Sequence, residues 1–211
     1  ISVNTCLILI TEFQWIFPNQ EDIIHNTIPY FDGGASISRT VRPYPSWLIF
    51  KPAMFLTSFL LIKYWYYNKE IIIYLNKDHR YLKKIIFFGV GSAIALTVHS
   101  IFLGIKFDND LYKLFRRLVM LVFIIFEVTA QAYLVLAFYS FRDKLKNYIN
   151  PKVLKAKLIL VSILIVLAVI CIPIISWPGD KFKFFKHALE WDYFLGVITF
   201  YLLTFLMWKK K

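Results

Sequence analysis

One carboxyl, Glu127, stands inside an otherwise uncharged apolar run, with Gln131 four residues further on. On a helix the two side chains share a face. If residues from about 115 to 140 cross a membrane, entering near Arg117, a rise of about 1.5 Å per residue puts Glu127 roughly 15 Å deep, at the bilayer midplane. Inserting a carboxyl there is costly, so it must face protein or a cavity. Two readings fit: a group that carries protons or coordinates a lipid headgroup, or a neutral carboxyl hydrogen-bonded between helices. His187 and Glu190 lie three apart, with Trp191 and Asp192 beside them, so an imidazole and a carboxyl converge at the start of the last apolar block. His99 lies near the end of another block, as a ligand or as a structural residue. Arg39, Arg42 and Lys51 flank the entry to the second block and could hold a phosphate, Arg being suited to bidentate contact. Solvated loop charge is the plainer reading of the three. No spacing of His, Cys, Asp and Glu suits a metal, and no nucleophile elbow, phosphate loop or CxxC pair is present. No cofactor is implied, and no catalytic residue is assigned.

The elements that must position these residues are apolar blocks at about 1–17, 46–67, 85–105, 115–140, 157–176 and 187–208. A bilayer core needs roughly 20 apolar residues of helix. The last five blocks qualify, and the first is shorter. The chain has 211 residues, 59% of them hydrophobic, where soluble domains run at about 45–50%. The expected fold is all-α: a polytopic transmembrane bundle of six spans, one integral membrane domain over residues 1–211.

Charge orients it. Threading the chain through alternately leaves fifteen basic residues against three acidic ones on one side, which is the whole net charge of +12. The other side holds ten basic against nine acidic residues. A Lys/Arg excess marks the inside face, so both termini are expected inside, with loops at about 18–45, 106–114 and 177–187 outside. The basic residues form short juxtamembrane clusters that suit topology and anionic lipid rather than nucleic acid.

The first outside loop, from Pro18 to Pro45, carries Gly33, Gly34 and four prolines, so turns and extended chain are expected there. Tyr64 to Tyr67 form an aromatic belt, and Ile71 to Leu75 a helix end along the interface. Gly89, Gly91, Ser92, Ala93 and Ala95 allow close helix approach. Asn150-Pro151 reads as a helix start, and Trp177 to Asp180 as a turn. Cys6 and Cys171 fall at different depths and are not expected to bridge. The chain opens on Ile1, so the N-terminus is expected to be incomplete.

The run Ala35-Ser36-Ile37-Ser38-Arg39-Thr40, followed by Tyr44-Pro45-Ser46 and Ile49-Phe50, resembles the "ISxTG…P" signature of the FRAG/DRAM/SFK group of six-span membrane proteins. Glu190-Trp191 resembles the pair that opens that group's final helix. Arg39 stands where members commonly carry Asp, and Val41 where they carry Gly. The resemblance implies a non-transporting membrane protein concerned with lipid organisation or remodelling, the group including a GPI-anchor remodelling factor. Ser38, Arg39, Thr40, His187, Glu190 and Trp191 would line its site at the outer leaflet, with membrane lipids as partners. The competing expectation is an accessory, non-catalytic subunit of a larger membrane complex, such as an organelle-encoded one. A proton-coupled carrier, resting on Glu127, is the third.

Overall fold

The structure is a computed structural model and describes residues 1–105, 109–176 and 182–209, without the side chains of 110, 113 and 171–176. The expected turn at Trp177 to Asp180, the side chain of Cys171 and part of the 106–114 loop lie outside the described residues. Among those described the chain is all-helical: α1 (Ser2–Glu12), α2 (Pro29–Asp32), α3 (Ile37–Val41), α4 (Ser46–Leu75), α5 (Leu82–Phe102), α6 (Asp110–Ser140), α7 (Arg142–Leu145), α8 (Pro151–Ser176) and α9 (Lys183–Met207).

Five helices are long and apolar enough to cross a membrane: α4, α5, Leu114–Ser140 of α6, Pro151–Ile170 of α8, and α9. Their outward faces are apolar, with Leu56, Phe59 and Leu60 exposed on α4, Ile159, Ile163 and Val166 on α8, and Leu202, Phe205 and Leu206 on α9. Such faces are at home against lipid tails and not against water. The expected first span differs. Residues 1–17 form an 11-residue α-helix and then a 3-10 turn at Gln14–Ile16. Polar residues explain the stop: the Gln14 amide donates to Thr11 O at 2.8 Å and closes the last turn.

Each long helix starts and stops where its residues dictate. Asn150 opens α8, its carbonyl oxygen accepting from the Leu154 N–H at 3.1 Å and its side chain from the Lys152 N–H at 3.0 Å. At about 45 Å, α4 is longer than a bilayer core is thick, and Ile71–Leu75 is the end of this one helix. The Pro18–Pro45 loop is more ordered than turns alone. Pro29 begins α2, where a missing N–H costs nothing, and the Ser36 hydroxyl caps α3 by accepting from the Arg39 N–H at 3.2 Å.

α5 lies between α4 and α6, and α8 between α6 and α9. Trp65, Ile85, Leu134, Phe138, Val161 and Phe200 build the core between them. Small residues set the spacing of α5. A methyl at Gly89 would fall 2.3 Å from the indole of Trp65, and one at Gly91 would fall 2.6 Å from the ring of Phe126. Trp65 is completely buried and has nowhere to go, whereas Phe126 is only half-buried. Gly89→Ala should therefore destabilise by about 1–3 kcal/mol, and Gly91→Ala by clearly less. Unfolding of both variants in mixed detergent checks the order.

Two ends result. At one, the C-terminus pairs with the α7–α8 connection through Asn150 N–H to Met207 O and Lys209 N–H to Tyr148 O, both 2.8 Å. The basic clusters sit there. At the other, α1, α2 and α3 gather over the starts of α4 and α9.

Candidate functional site

Three consecutive contacts from one face of α9 seize the chain between Gly33 and Ser38. His187 Nδ1 donates to Gly33 O at 2.9 Å, which fixes the ring tautomer. Trp191 Nε1 donates to Ala35 O at 2.8 Å. The Glu190 carboxyl faces the backbone N–H groups of Ile37 and Ser38. Positions 187, 190 and 191 share one helical face, so a single face holds six residues of loop. Gly33 makes the approach possible: its φ is +61°, and a Cβ there would lie 1.7 Å from Phe184 O. Trp191 is fully buried among Val3, Cys6, Ile37, Val41, Phe50 and Leu103, and meets Tyr30 edge-on at 4.9 Å.

The loop is also braced from within. Asp32 accepts from Ile28 N–H and Gly34 N–H at 2.8 Å and from the Thr27 hydroxyl at 2.7 Å. Slight burial pushes its carboxyl up, but these hydrogen bonds outweigh it and hold the group below the usual carboxylate range. A depressed pKa of this kind leaves the brace intact at neutral pH and releases it as pH falls through the folded value.

The candidates read from the sequence thus divide. His187, Glu190 and Trp191 meet Ser38 and its neighbours, but as a clamp whose polar atoms are spent on backbone. Thr40 is buried, its hydroxyl donating to Ile37 O at 2.8 Å. Arg39 is left exposed. Arg42 Nη2 donates to Ser38 Oγ at 2.7 Å. Lys51 lies over the Trp47 ring at 5.4 Å and reaches Ile101 O at 3.4 Å. His99, in the last turn of α5, keeps a buried Nδ1 with no hydrogen-bond partner among the described residues.

Glu127 and Gln131 occupy a second polar site inside the bundle. Gln131 Nε2 and the Tyr201 hydroxyl donate to Glu127 Oε1, the former at 2.9 Å, and Ser92 Oγ lies 2.7 Å from Oε2. Ser92 Oγ is also 2.8 Å from Gly89 O, and its one hydrogen serves only one of the two acceptors. Three residues on from Tyr201, Thr204 holds Lys157, whose Nζ donates to Thr204 Oγ1 at 2.6 Å and sits 3.9 Å above the Phe200 ring. Thr204 donates in turn to Phe200 O at 3.0 Å, and the Tyr64 hydroxyl lies 3.3 Å from it. The sequence reading counts Lys157 with the basic loop, and the structure corrects this: Lys157 is completely buried. Lys157 shares the face of Leu154, Val161 and Leu164, all buried at helical spacing, a face that the sequence does not mark because α8 is apolar on its outer side as well. No group of three or more potential metal ligands occurs among the described residues.

The class this architecture defines is an all-helical protein with five candidate membrane-spanning helices, which suggests an integral membrane protein. Compared with family models, with curated proteins and with solved structures, the chain matches none.

Proposed function

We propose that this chain is a six-span membrane protein of FRAG/DRAM/SFK type, with both termini inside, that organises or remodels lipid from the outer leaflet. The observation that carries the reading is the clamp: α9 spends three side chains on holding residues 33–38 in one shape. A loop fixed at that cost in side-chain freedom serves as a platform, and it leaves Arg39 and Arg42 facing outward at headgroup level. Among the described residues no nucleophile is paired with a base around it, and ordering or presenting lipid fits such a platform better than catalysis. Orientation follows from the basic end, which the Lys/Arg rule puts inside. α1 takes part in the first span by packing Val3 and Cys6 beside Phe50 of α4.

A second reading has its own support. Trp15 is 82% exposed and Phe31 is 87% exposed, both outside the five long helices. A neighbouring subunit seated on them would make the chain an accessory component of a larger membrane assembly.

A phospholipid with a photoreactive headgroup, supplied to the outer face of intact cells, tests orientation and site together. Labelling should concentrate on peptides covering 37–42 and 99–116. Labelling confined to 76–84 and 141–155 would overturn both.

A further inference from the structure

We infer that Arg42, Arg116 and His99 form a binding site for a phosphate group. Arg42 follows α3, His99 lies in the last turn of α5, and Arg116 lies in the second turn of α6. Three separate elements thus bring basic groups to one end of the bundle.

Their like charges are only partly offset within the described protein. Burial of its stem, and then the like charge of Arg116, hold the Arg42 guanidinium below its ordinary range, against a partial offset from Asp22 and Tyr112. His99, buried at the end of α5, also lies within the field of Arg116. No carboxylate among the described residues pairs with any of the three. The repulsion between Arg42 and Arg116 is relieved by an anion.

His99 Nδ1 and Arg116 Nε are buried without a hydrogen-bond partner among the described residues. A buried polar nitrogen left unpaired is costly, and an anion's oxygens would accept from Arg116 Nε and from His99 Nδ1 in its N–H tautomer. A tetrahedral oxyanion supplies several acceptor oxygens at once, and a guanidinium fork suits it.

The surroundings favour a lipid as the source of that phosphate. Tyr112, whose ring lies 6.0 Å from the Arg116 guanidinium, also lines a shallow groove with Leu111, Leu114, Phe115 and Leu118. These four apolar side chains are all exposed. A headgroup phosphate on the basic cluster would lay its acyl chain along them. The same oxygens could belong to free phosphate. The lipid source rests on the function proposed above, whereas the anion chemistry does not.

The test uses the whole chain in two arms. In nanodiscs of phosphatidylcholine doped with phosphatidic acid, lipid retained after washing is read by native mass spectrometry. In detergent, inorganic phosphate is added and the shift in melting temperature is read. The wild type should retain phosphatidic acid over phosphatidylcholine by about tenfold. Arg116→Gln and His99→Gln should lose most of that preference. Arg117→Gln changes net charge equally at an exposed neighbour and should keep it. Arg116→Lys, which preserves a charge but not the fork, should fall between and guards against a glutamine variant that fails to fold. Preference for phosphatidic acid without a phosphate shift assigns the site to a headgroup. A phosphate shift that Arg116→Gln abolishes, in a protein retaining no lipid, sustains the anion site while sinking the lipid function. If Arg116→Gln matches the wild type in both arms, or Arg117→Gln loses as much, the site is refuted even where lipid is retained.

Discussion

Trp191→Ala should cost about 3–5 kcal/mol, the range for truncating a large buried aromatic, and should detach residues 33–41 from the bundle. Trp191 is wholly buried and joins elements far apart in the chain: Val3 of α1, Ile37 and Val41 of α3, Phe50 of α4 and Leu103 after α5. Its loss opens a cavity where α1, α3 and α4 meet. It also leaves Ala35 O without the indole donor. Trp191→Phe keeps an aromatic ring against Tyr30 and loses only the Nε1 bond, so about 1 kcal/mol is expected. Two readouts separate the effects: unfolding in mixed detergent for stability, and labelling of the thiol introduced by Ser38→Cys for loop docking. A loss below about 1 kcal/mol in the alanine variant, with that introduced thiol still protected, would show that the loop is held by something other than this helix face.

Glu127 separates a structural acid from a working one. Glu127→Leu removes the acceptor of Tyr201, Gln131 and Ser92 together and strands buried donors between α5, α6 and α9. A loss of about 1–3 kcal/mol is expected. Glu127→Gln should stay within about 0.5 kcal/mol of the wild type, because hydrogen-bond counting allows a full replacement. The amide oxygen keeps Tyr201 and Gln131, while the amide N–H₂ donates to Ser92 Oγ, which turns its hydrogen to Gly89 O. If the carboxyl exchanges protons in a working cycle, the glutamine variant keeps its stability and loses activity. If the role is structural, both survive. A large stability loss in Glu127→Gln would mean an ionised carboxylate that depends on a cation, and Lys157 is the buried one to test next by Lys157→Met.

Legibility in the sequence followed the physics of each feature. The long helices were readable because a bilayer demands about 20 apolar residues in a row, a signal that needs no knowledge of packing. The α8 start at Asn150-Pro151 and the close approach at Gly89 were readable from local chemistry alone. The first block was harder, since Glu12 and Gln14 end α1 early and a residue count cannot weigh them. The short helices α2 and α3 were hidden among prolines and glycines that usually mark turns. His187, Glu190 and Trp191 could be grouped by helical spacing, but not their use: that they grip backbone at Gly33, Ala35, Ile37 and Ser38 depends on a contact across about 150 residues. Lys157, Tyr201 and Thr204 stayed invisible for a related reason. In a helix apolar on every side no stripe marks the buried face, so a lysine one turn inside an apolar block reads as the edge of a basic loop.

The measurement that bears most directly on the proposed function is native mass after gentle solubilisation from the membrane of origin. The lipid-organising reading requires one protein species that carries phospholipid at a fixed ratio, with the lipid lost when Trp191→Ala frees the loop. Co-purification with other subunits in constant stoichiometry, and no retained lipid on the chain released from them, would contradict it.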